Sequence, residues 1–145
     1  MIVNKDSREN ILFFAWAVSI LAMFGSLYFS EIRRYEPCVL CWYQRILMYP
    51  LALQLGIATV QKDYRFAVYS AWMSAIGIMV SAYHYSLQKL PFMAEAAPAC
   101  GRVPCTGQYI NWLGFITIPF LALMAFTLIF ICSMVILKKN KGELA

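Results

Sequence analysis

The chain has 145 residues and a net charge of +5, and 62% of its residues are hydrophobic while only 13% are charged. A soluble domain carries about 25% charged residues, so this composition excludes an ordinary globular fold in water and indicates an integral membrane protein. The basic residues form no stripe with interleaved aromatic residues, so nucleic acid is not expected as a partner. The positive charge bears instead on membrane topology and anionic lipid.

Four apolar runs follow one another along the chain, and each approaches the roughly 20 residues that cross a bilayer as a helix. They cover approximately residues 11–29, 42–60, 66–87 and 112–137. The first run has no small-x-small cleavage site before Ser30, so we interpret it as a retained span and not as a signal peptide. The sequence therefore predicts one membrane domain over residues 1–145. Its fold is an all-α, antiparallel four-helix bundle with two cysteine-bearing loops.

Lysine and arginine are distributed unevenly between the two predicted sides of the membrane, and these residues are enriched on the cytoplasmic side of membrane proteins. Four spans place both termini on one side, together with the turn at 61–65. That side holds seven lysines and arginines, whereas the loops at 30–37 and 88–108 hold four. We therefore predict cytoplasmic termini and extracytoplasmic cysteine loops, in the compartment where disulfides persist.

The first cysteine pair lies at 38–45, where the sequence reads CVLCWYQR directly before the second apolar run. Steps of three and four place Cys38, Cys41 and Arg45 on one face of a helix that begins near Cys38. A helix N-terminus and a nearby cation both stabilise a thiolate, which favours a redox-active dithiol. A zinc site shared with the second cysteine pair and a structural bridge are the alternatives. The bridge would close a very small loop and add little stability.

The second pair, Cys100 and Cys105, lies in a loop that reads CGRVPC. A structural staple is one interpretation, because exported loops often use disulfides in this way. The other is a redox-active disulfide, since an exposed, strained bond in a proline-bearing loop is easily attacked. Arg102 lies between the two sulfurs and can help to stabilise a thiolate. The fifth cysteine, Cys132, lies within the fourth run and is interpreted as a small apolar filler.

Arg45 and His84 are each about one helical turn from the predicted outer end of a span, so they lie at matching depth on antiparallel neighbours. Arginine inside hydrocarbon is costly and usually functional, although a shallow arginine can also extend its head group to the interface. For His84 the alternative is membership of an interfacial aromatic belt with Tyr83 and Tyr85.

The combination resembles a known family. CVLCWYQR at the head of the second of four spans, with another cysteine pair in the second outer loop, is similar to the DsbB family of disulfide-formation membrane proteins. The stretches CWYQRILMYP and PCTGQYINWLGFITIPFLAL resemble its BdbC branch from Gram-positive bacteria. The likeness covers nearly the whole chain.

The resemblance implies an oxidoreductase of the bacterial cytoplasmic membrane. It would oxidise an extracytoplasmic thioredoxin-like thiol-disulfide oxidase, of the DsbA or BdbD kind, and pass the electrons to a quinone, expected to be menaquinone. Cys100 and Cys105 would receive electrons from the partner, and Cys38 and Cys41 would hand them on. Cys41 would face the quinone with Arg45 beside it, and His84 would lie near the quinone site. No resident metal is expected.

One feature departs from the Gram-negative members of this family, in which the second pair is widely separated. Here only four residues lie between Cys100 and Cys105. Three other functions remain in view: a non-catalytic tetraspan protein braced by loop disulfides, a metal-binding membrane protein, and a quinone epoxide-type reductase. The spacing of Cys38 and Cys41 and the position of Arg45 argue against the first.

Overall fold

The computed structural model describes residues 2–95, 113–114 and 116–144, and within them the regular elements are all helices. In chain order they are α1 (Ile2–Leu27), a π-helical turn (Tyr28–Ile32), α2 (Val39–Gln61), α3 (Phe66–Lys89), α4 (Pro91–Glu95) and α5 (Ile118–Leu144). The all-α prediction is confirmed for this part of the chain. The predicted cysteine loop at 88–108 lies mostly outside the described residues.

Three segments of the described chain are long and apolar enough to cross a membrane: Ser7–Ile32, Phe66–Lys89 and Ile118–Gly142. Helix α2 has 23 residues and reaches about 35 Å at 1.5 Å per residue. It is not among these three segments, because Gln44, Arg45 and Gln54 interrupt its apolar run. The three apolar segments support a multi-pass membrane protein.

The last long helix begins later than the apolar pattern predicts, at Ile118 and not at residue 112. Leu113 and Gly114 have φ angles of 55° and 82°, which turn the chain just before it. The carbonyl of Thr117 then accepts the first helical hydrogen bond, from the amide of Leu121 at 3.0 Å. Pro119 fits in this first turn because helical amides there need no partner.

The four long helices pack in a ring, in which α1 and α3 each contact both α2 and α5. The main core is apolar and draws on all four: Leu12, Ala15, Met48, Leu51, Leu55, Ala58, Ala67, Phe126, Ile129, Cys132 and Ile136. Cys132 is 9% exposed within this core, as expected of an apolar filler.

Many large apolar side chains point outward, among them Leu21, Trp72 and Met79 at 70–72% exposure. Such a surface is suited to lipid and not to water.

Helix α3 presents a stripe of small residues to its neighbours. The buried positions recur every three or four residues. The small ones are Ala67, Ser70, Ala71, Ser74, Gly77 and Ser81, and the larger His84 and Leu87 follow them. The hydroxyl groups of Ser70 and Ser74 donate to carbonyls of the preceding turn at 3.0 and 2.6 Å, so these polar groups stay paired within their own helix. Small residues allow membrane helices to approach closely, and this stripe brings α3 against both α2 and α5.

The end of the molecule that carries the 61–65 turn is held by polar contacts. Arg8 donates to Asn140 Oδ1 at 2.9 Å, and its guanidinium lies 4.6 Å from the centre of the Tyr64 ring. Lys62 and Glu9 form an ion pair at 3.3 Å. These contacts join α1, the turn and the C-terminal part of α5, so the two terminal segments lie at the same end of the molecule.

Gly77 marks a close approach between α3 and α5, because a Cβ atom at this position would overlap the ring of Phe126. Phe126 is fully buried and cannot move aside freely. We expect Gly77→Ala to lower the free energy of unfolding in mixed micelles by about 1–3 kcal/mol, the usual range for overpacking. Gly25→Ala is the matched control, since nothing lies within 4 Å of its added methyl group. Equal stability of the two variants would contradict the close packing of α3 on α5.

Candidate functional site

The first turn of α2 brings the two cysteines of the CVLC sequence together. Cys38 is the N-cap residue, with extended backbone (φ −74°, ψ 174°), and its carbonyl accepts a hydrogen bond from the amide of Trp42 at 3.1 Å. Cys41 then follows in the first turn, and the two sulfur atoms lie 3.4 Å apart. The helix therefore begins where the sequence predicted it.

His84 of α3 lies against this pair. Its Nε2 atom is 3.5 Å from Cys38 Sγ, and both side chains are buried, at 1% and 6% exposure. Its Nδ1 atom lies 3.2 Å from the side-chain nitrogen of Gln44, which is buried one turn into α2. His84 is thus held between Cys38 and Gln44. The neighbouring Tyr83 is 41% exposed, so the interfacial-belt interpretation fits Tyr83 and not His84.

A small apolar cluster surrounds Cys38. Leu40 and Leu87 are buried with it, and Met93 of the short helix α4 packs against the same group. Cys41 lies at the edge of the cluster and is only half-buried. The two cysteines, although adjacent, therefore have different surroundings.

These surroundings determine the acidity of Cys38, which precedes the first residue of α2. The hydrogen bond to Cys41 and burial raise the pKa of the Cys38 thiol to about 11, while the contact with His84 acts in the opposite direction. The sequence predicted that the helix N-terminus would stabilise a thiolate on this face. At Cys38 the effects that raise the pKa are larger. The protonated thiol is the favoured form there.

Arg45 lies one turn further along α2 and is anchored to α1. Its Nη2 atom donates to the backbone carbonyl of Ser26 at 2.9 Å, and its guanidinium lies 5.4 Å from the centre of the Trp42 ring. The side chain is half-buried. The bond to the backbone of α1 fixes the guanidinium of Arg45 in place. An arginine side chain that only extends toward the membrane interface would not be fixed in this way.

A cavity of about 460 Å³ opens beside Cys41 and Arg45, between α1, α2 and α5. Cys41, Gln44 and Arg45 lie on its wall, and the other polar residues there are Ser26, Ser30, Tyr35, Glu36 and Tyr49. The remaining wall is largely apolar and includes Leu21, Ala22, Phe29, Met48, Leu121, Ala122, Met124, Ala125, Phe126 and Leu128. The π-helical turn contributes Phe29 and Ser30, in keeping with the frequent occurrence of π-helical geometry at functional sites. A mostly apolar cavity with a few convergent polar groups is typical of a small-molecule site.

The loop at 33–37 closes one end of this cavity by folding back onto the π-helical turn that follows α1. The amide of Tyr35 donates to the carbonyl of Phe29 at 2.9 Å, and the two aromatic rings stack with centroids 6.1 Å apart. Tyr35, Glu36 and Pro37 thereby join the cavity wall.

The structure brings together four of the six predicted site residues. Cys41 and Arg45 share the cavity wall, whereas Cys38 and His84 contact each other beside it. Cys100 and Cys105 lie outside the described residues, so their place in the site stays a prediction.

Gln44 is the functional residue that the sequence interpretation missed, because it touches both His84 and the cavity. A signal was available: the buried positions of α2 recur every three or four residues, at 44, 48, 51, 55 and 58. A glutamine on an otherwise apolar face is a buried polar group that needs a partner. His84 likewise follows the small residues of α3 at the same spacing, which predicts that it faces the interior of the bundle.

The acidity of Cys38 gives a test of this geometry in a protein that lacks Cys100, Cys105 and Cys132. We expect Cys41→Ala to lower the pKa of Cys38, because it removes the largest cause of the rise. Alkylation of Cys38 at a pH below about 11 should then be faster, by roughly threefold for each unit of the fall, because the lower nucleophilicity of a more acidic thiolate offsets part of its roughly tenfold gain in population.

His84→Ala should act in the opposite direction and slow the alkylation of Cys38, because it removes the contact that lowers this pKa. The measurement is the alkylation rate as a function of pH, followed by mass spectrometry. If both variants accelerated the reaction equally, the change would reflect access to the sulfur and not the two contacts.

The family model described as "Disulfide bond formation protein DsbB" matches residues 8–136 of the chain. A "Probable disulfide formation protein C" of Halalkalibacterium halodurans is 63% identical over 132 residues, which are 91% of this chain and 96% of that protein. The "Disulfide bond formation protein C" of Bacillus subtilis is 58% identical over 137 residues, 94% of this chain and 99% of that protein. A "Probable disulfide formation protein" of Oceanobacillus iheyensis is 49% identical over 133 residues, 91% and 92% of the two chains.

These matches confirm the resemblance inferred from CVLCWYQR and the neighbouring sequence. The family model spans both cysteine pairs and most of the three apolar helical segments. The chain therefore belongs to the DsbB family and is a membrane oxidoreductase that acts in disulfide bond formation.

Proposed function

We propose that this protein reoxidises an extracytoplasmic thioredoxin-like thiol oxidase, of the DsbA or BdbD kind, and passes the electrons to a quinone of the bacterial cytoplasmic membrane. The observation that carries this proposal is the apolar cavity with Cys41, Gln44 and Arg45 on its wall. It places a reactive sulfur, an amide and a cation on the wall of a space that a small apolar molecule can enter.

The proposed topology has four antiparallel spans, with α2 as the fourth membrane-crossing helix. Its length of about 35 Å exceeds the roughly 30 Å of bilayer hydrocarbon. Two of its polar residues do not need to face lipid, because Gln44 is buried against His84 and Arg45 is bonded to the Ser26 carbonyl. The end that carries Arg8 and Lys62 is then cytoplasmic, by the enrichment of basic residues on that side, and the cysteines are extracytoplasmic.

The entry pair is Cys100 and Cys105. A thiolate of the partner attacks one sulfur of their disulfide and forms a mixed disulfide, which the partner's second thiolate resolves. The partner leaves as a disulfide, and two electrons remain on Cys100 and Cys105 as two thiols. The same exchange with a Cys38–Cys41 disulfide carries the two electrons to the inner pair and restores the outer disulfide.

The residues of the cavity fit a quinone. A quinone bound there supplies an acceptor for two electrons and two protons from the Cys38–Cys41 dithiol. Arg45 provides N–H donors and positive charge toward a ring oxygen that gains negative charge. Gln44 provides an amide from the cavity wall, and the apolar part of that wall accommodates the ring and the start of an isoprenoid tail. Menaquinone is proposed from the likeness to Gram-positive relatives.

The two cysteines then have different tasks. Cys41 is on the cavity wall and Cys38 is not, so Cys41 presents its sulfur to the acceptor. Cys38, buried beside His84, is the sulfur whose proton the histidine can take or return. Gln44 sets the orientation of the His84 ring. A non-catalytic protein braced by disulfides would need neither this cavity nor a histidine at the pair.

Arg45→Met tests the quinone site because it keeps the length of the side chain and removes its charge. We expect a loss on the order of 1–3 kcal/mol in the quinone step, as for a charge-assisted hydrogen bond, with exchange between the partner and Cys100–Cys105 unchanged. Arg45→Lys should restore only part of this loss, since a point charge does not reproduce the planar fork.

The measurement is quinone absorbance with purified protein, a reduced thioredoxin-like oxidase and a soluble quinone analogue. Arg34→Met is the matched control, because Arg34 is exposed, lies in the loop before Cys38 and is not on the cavity wall. If KM and kcat for the quinone matched those of the parent in Arg45→Met, Arg45 would be a membrane anchor only.

Cys105→Ser tests the order of the two pairs. It leaves Cys100 without a resolving thiol, so a mixed disulfide between Cys100 and the partner should accumulate. Non-reducing gels of cells that carry the variant measure the adduct, and Cys132→Ser, which changes a core cysteine, should give none. An adduct that forms at Cys38 in Cys41→Ser, with none in Cys105→Ser, would reverse the order.

A further inference from the structure

Three donor atoms of the site are arranged as metal ligands. The sulfurs of Cys38 and Cys41 and a ring nitrogen of His84 all lie within 4.8 Å of one another. Two thiolates and one imidazole form a ligand set that zinc uses in proteins. This set differs from the zinc site considered from the sequence, which required the second cysteine pair.

The distances are close to those that a tetrahedral zinc ion needs. With Zn–S near 2.3 Å and Zn–N near 2.0–2.1 Å, tetrahedral angles place two sulfur ligands about 3.8 Å apart, and sulfur and nitrogen about 3.6 Å apart. The two sulfurs here are 3.4 Å apart, and Cys38 Sγ is 3.5 Å from His84 Nε2. The third separation, between Cys41 Sγ and the ring nitrogen of His84, is within 4.8 Å. Side-chain rotations that shift these atoms by up to about an ångström would complete the geometry, without movement of α2 or α3.

The surroundings of His84 supply the outer contact that a zinc-bound histidine usually has. When Nε2 binds a metal, Nδ1 carries the proton and needs an acceptor. The amide of Gln44 lies 3.2 Å from Nδ1, and its oxygen and nitrogen exchange places by a half-turn of the group. Gln44 can therefore accept from the metal-bound form of His84 as well as donate to the free form.

Charge balance also favours the site. Two thiolates neutralise a zinc dication, so the loaded site adds no net charge to the apolar cluster formed with Leu40 and Leu87. Cys41 lies on the cavity wall, so a water molecule in the cavity can complete the coordination.

We propose that the reduced protein binds one zinc ion through Cys38, Cys41 and His84, and that the form with a Cys38–Cys41 disulfide does not. Binding replaces two thiol protons with one Zn²⁺ and releases two protons, without any change of oxidation state. A disulfide offers no thiolate, so the site exists only in the reduced state. Zinc would then hold the inner pair reduced and oppose its reoxidation. This inference does not depend on the quinone.

The test uses the full-length protein with Cys100→Ser, Cys105→Ser and Cys132→Ser, reduced with a phosphine that is then removed. Titration of Zn²⁺ against a chromophoric chelator should give one bound ion for the reduced protein and none after oxidation. Co²⁺ should give the near-ultraviolet charge-transfer band of thiolate ligands, with an intensity that corresponds to two sulfurs. Equal binding before and after oxidation, or a band for only one thiolate, would overturn the proposal.

Variants identify the nitrogen ligand and its support. His84→Ala should weaken zinc binding more strongly than Gln44→Leu, for which a loss of about 10- to 100-fold is expected. Ser81→Ala is the matched control, because Ser81 is fully buried one turn before His84 and is not a ligand. Unchanged affinity in a folded His84→Ala protein would exclude the histidine. If that variant does not fold, Cys41→Ser must lose the cobalt band of a two-sulfur site for the proposal to stand.

Discussion

The contact between Cys38 and His84 is the interaction on which the rest of the site depends. It joins the N-terminus of α2 to the last two turns of α3, so it forms only if the two helices run close together along their length. The small residues of α3 allow that approach. Buried positions recur every three or four residues along this helix, and His84 is one of them. The same buried face of α3 therefore packs the membrane helices together and places His84 at the site.

A second constraint separates the two cysteines although only two residues lie between them. The N-cap position directs Cys38 into the apolar cluster against α3, whereas Cys41, in the first turn, reaches the cavity between α1, α2 and α5. Arg45 maintains this division, because its bond to the Ser26 carbonyl holds the first turns of α2 against α1. A pair of identical residues thus acquires one protected sulfur and one that is open to a ligand.

Much of this site follows from local sequence, and the part that does not has a physical reason. The start of α2, the proximity of Cys38 to Cys41, and the family could be predicted, because helix periodicity and the spacing of the motif fix them. The predicted common face of Cys38 and Arg45 was not found, since Cys38 faces α3 and Arg45 lines the cavity. The depth of His84 in the membrane was also predictable, but its contact with Cys38 was not. That contact depends on how α3 is rotated about its axis, which is set by packing against α5. Gln44 was missed although the periodicity of α2 marks it as buried, because its partner, His84, lies on another helix.

The boundaries of the helices show the same distinction. The apolar pattern placed the start of the last span near residue 112, whereas backbone turns at Leu113 and Gly114 delay the helix to Ile118. Hydropathy records which residues tolerate lipid and is insensitive to φ angles. In α2 the polar residues lower the hydropathy of the helix. Two of them do not need to face lipid, because Gln44 is buried and Arg45 is bonded to α1.

The polar contacts around Arg8 have a consequence for motion. They clamp α1, the 61–65 turn and α5 at one end of the molecule, above a core of eleven buried residues that all four long helices share. At the opposite end, the cluster around the cysteine pair has three buried members among the residues that the structure describes. Resistance to local opening should therefore decline along the helix axes, from the clamped end toward the sulfurs. The inner pair can become accessible through partial opening at its own end, while the remainder of the membrane segment stays packed.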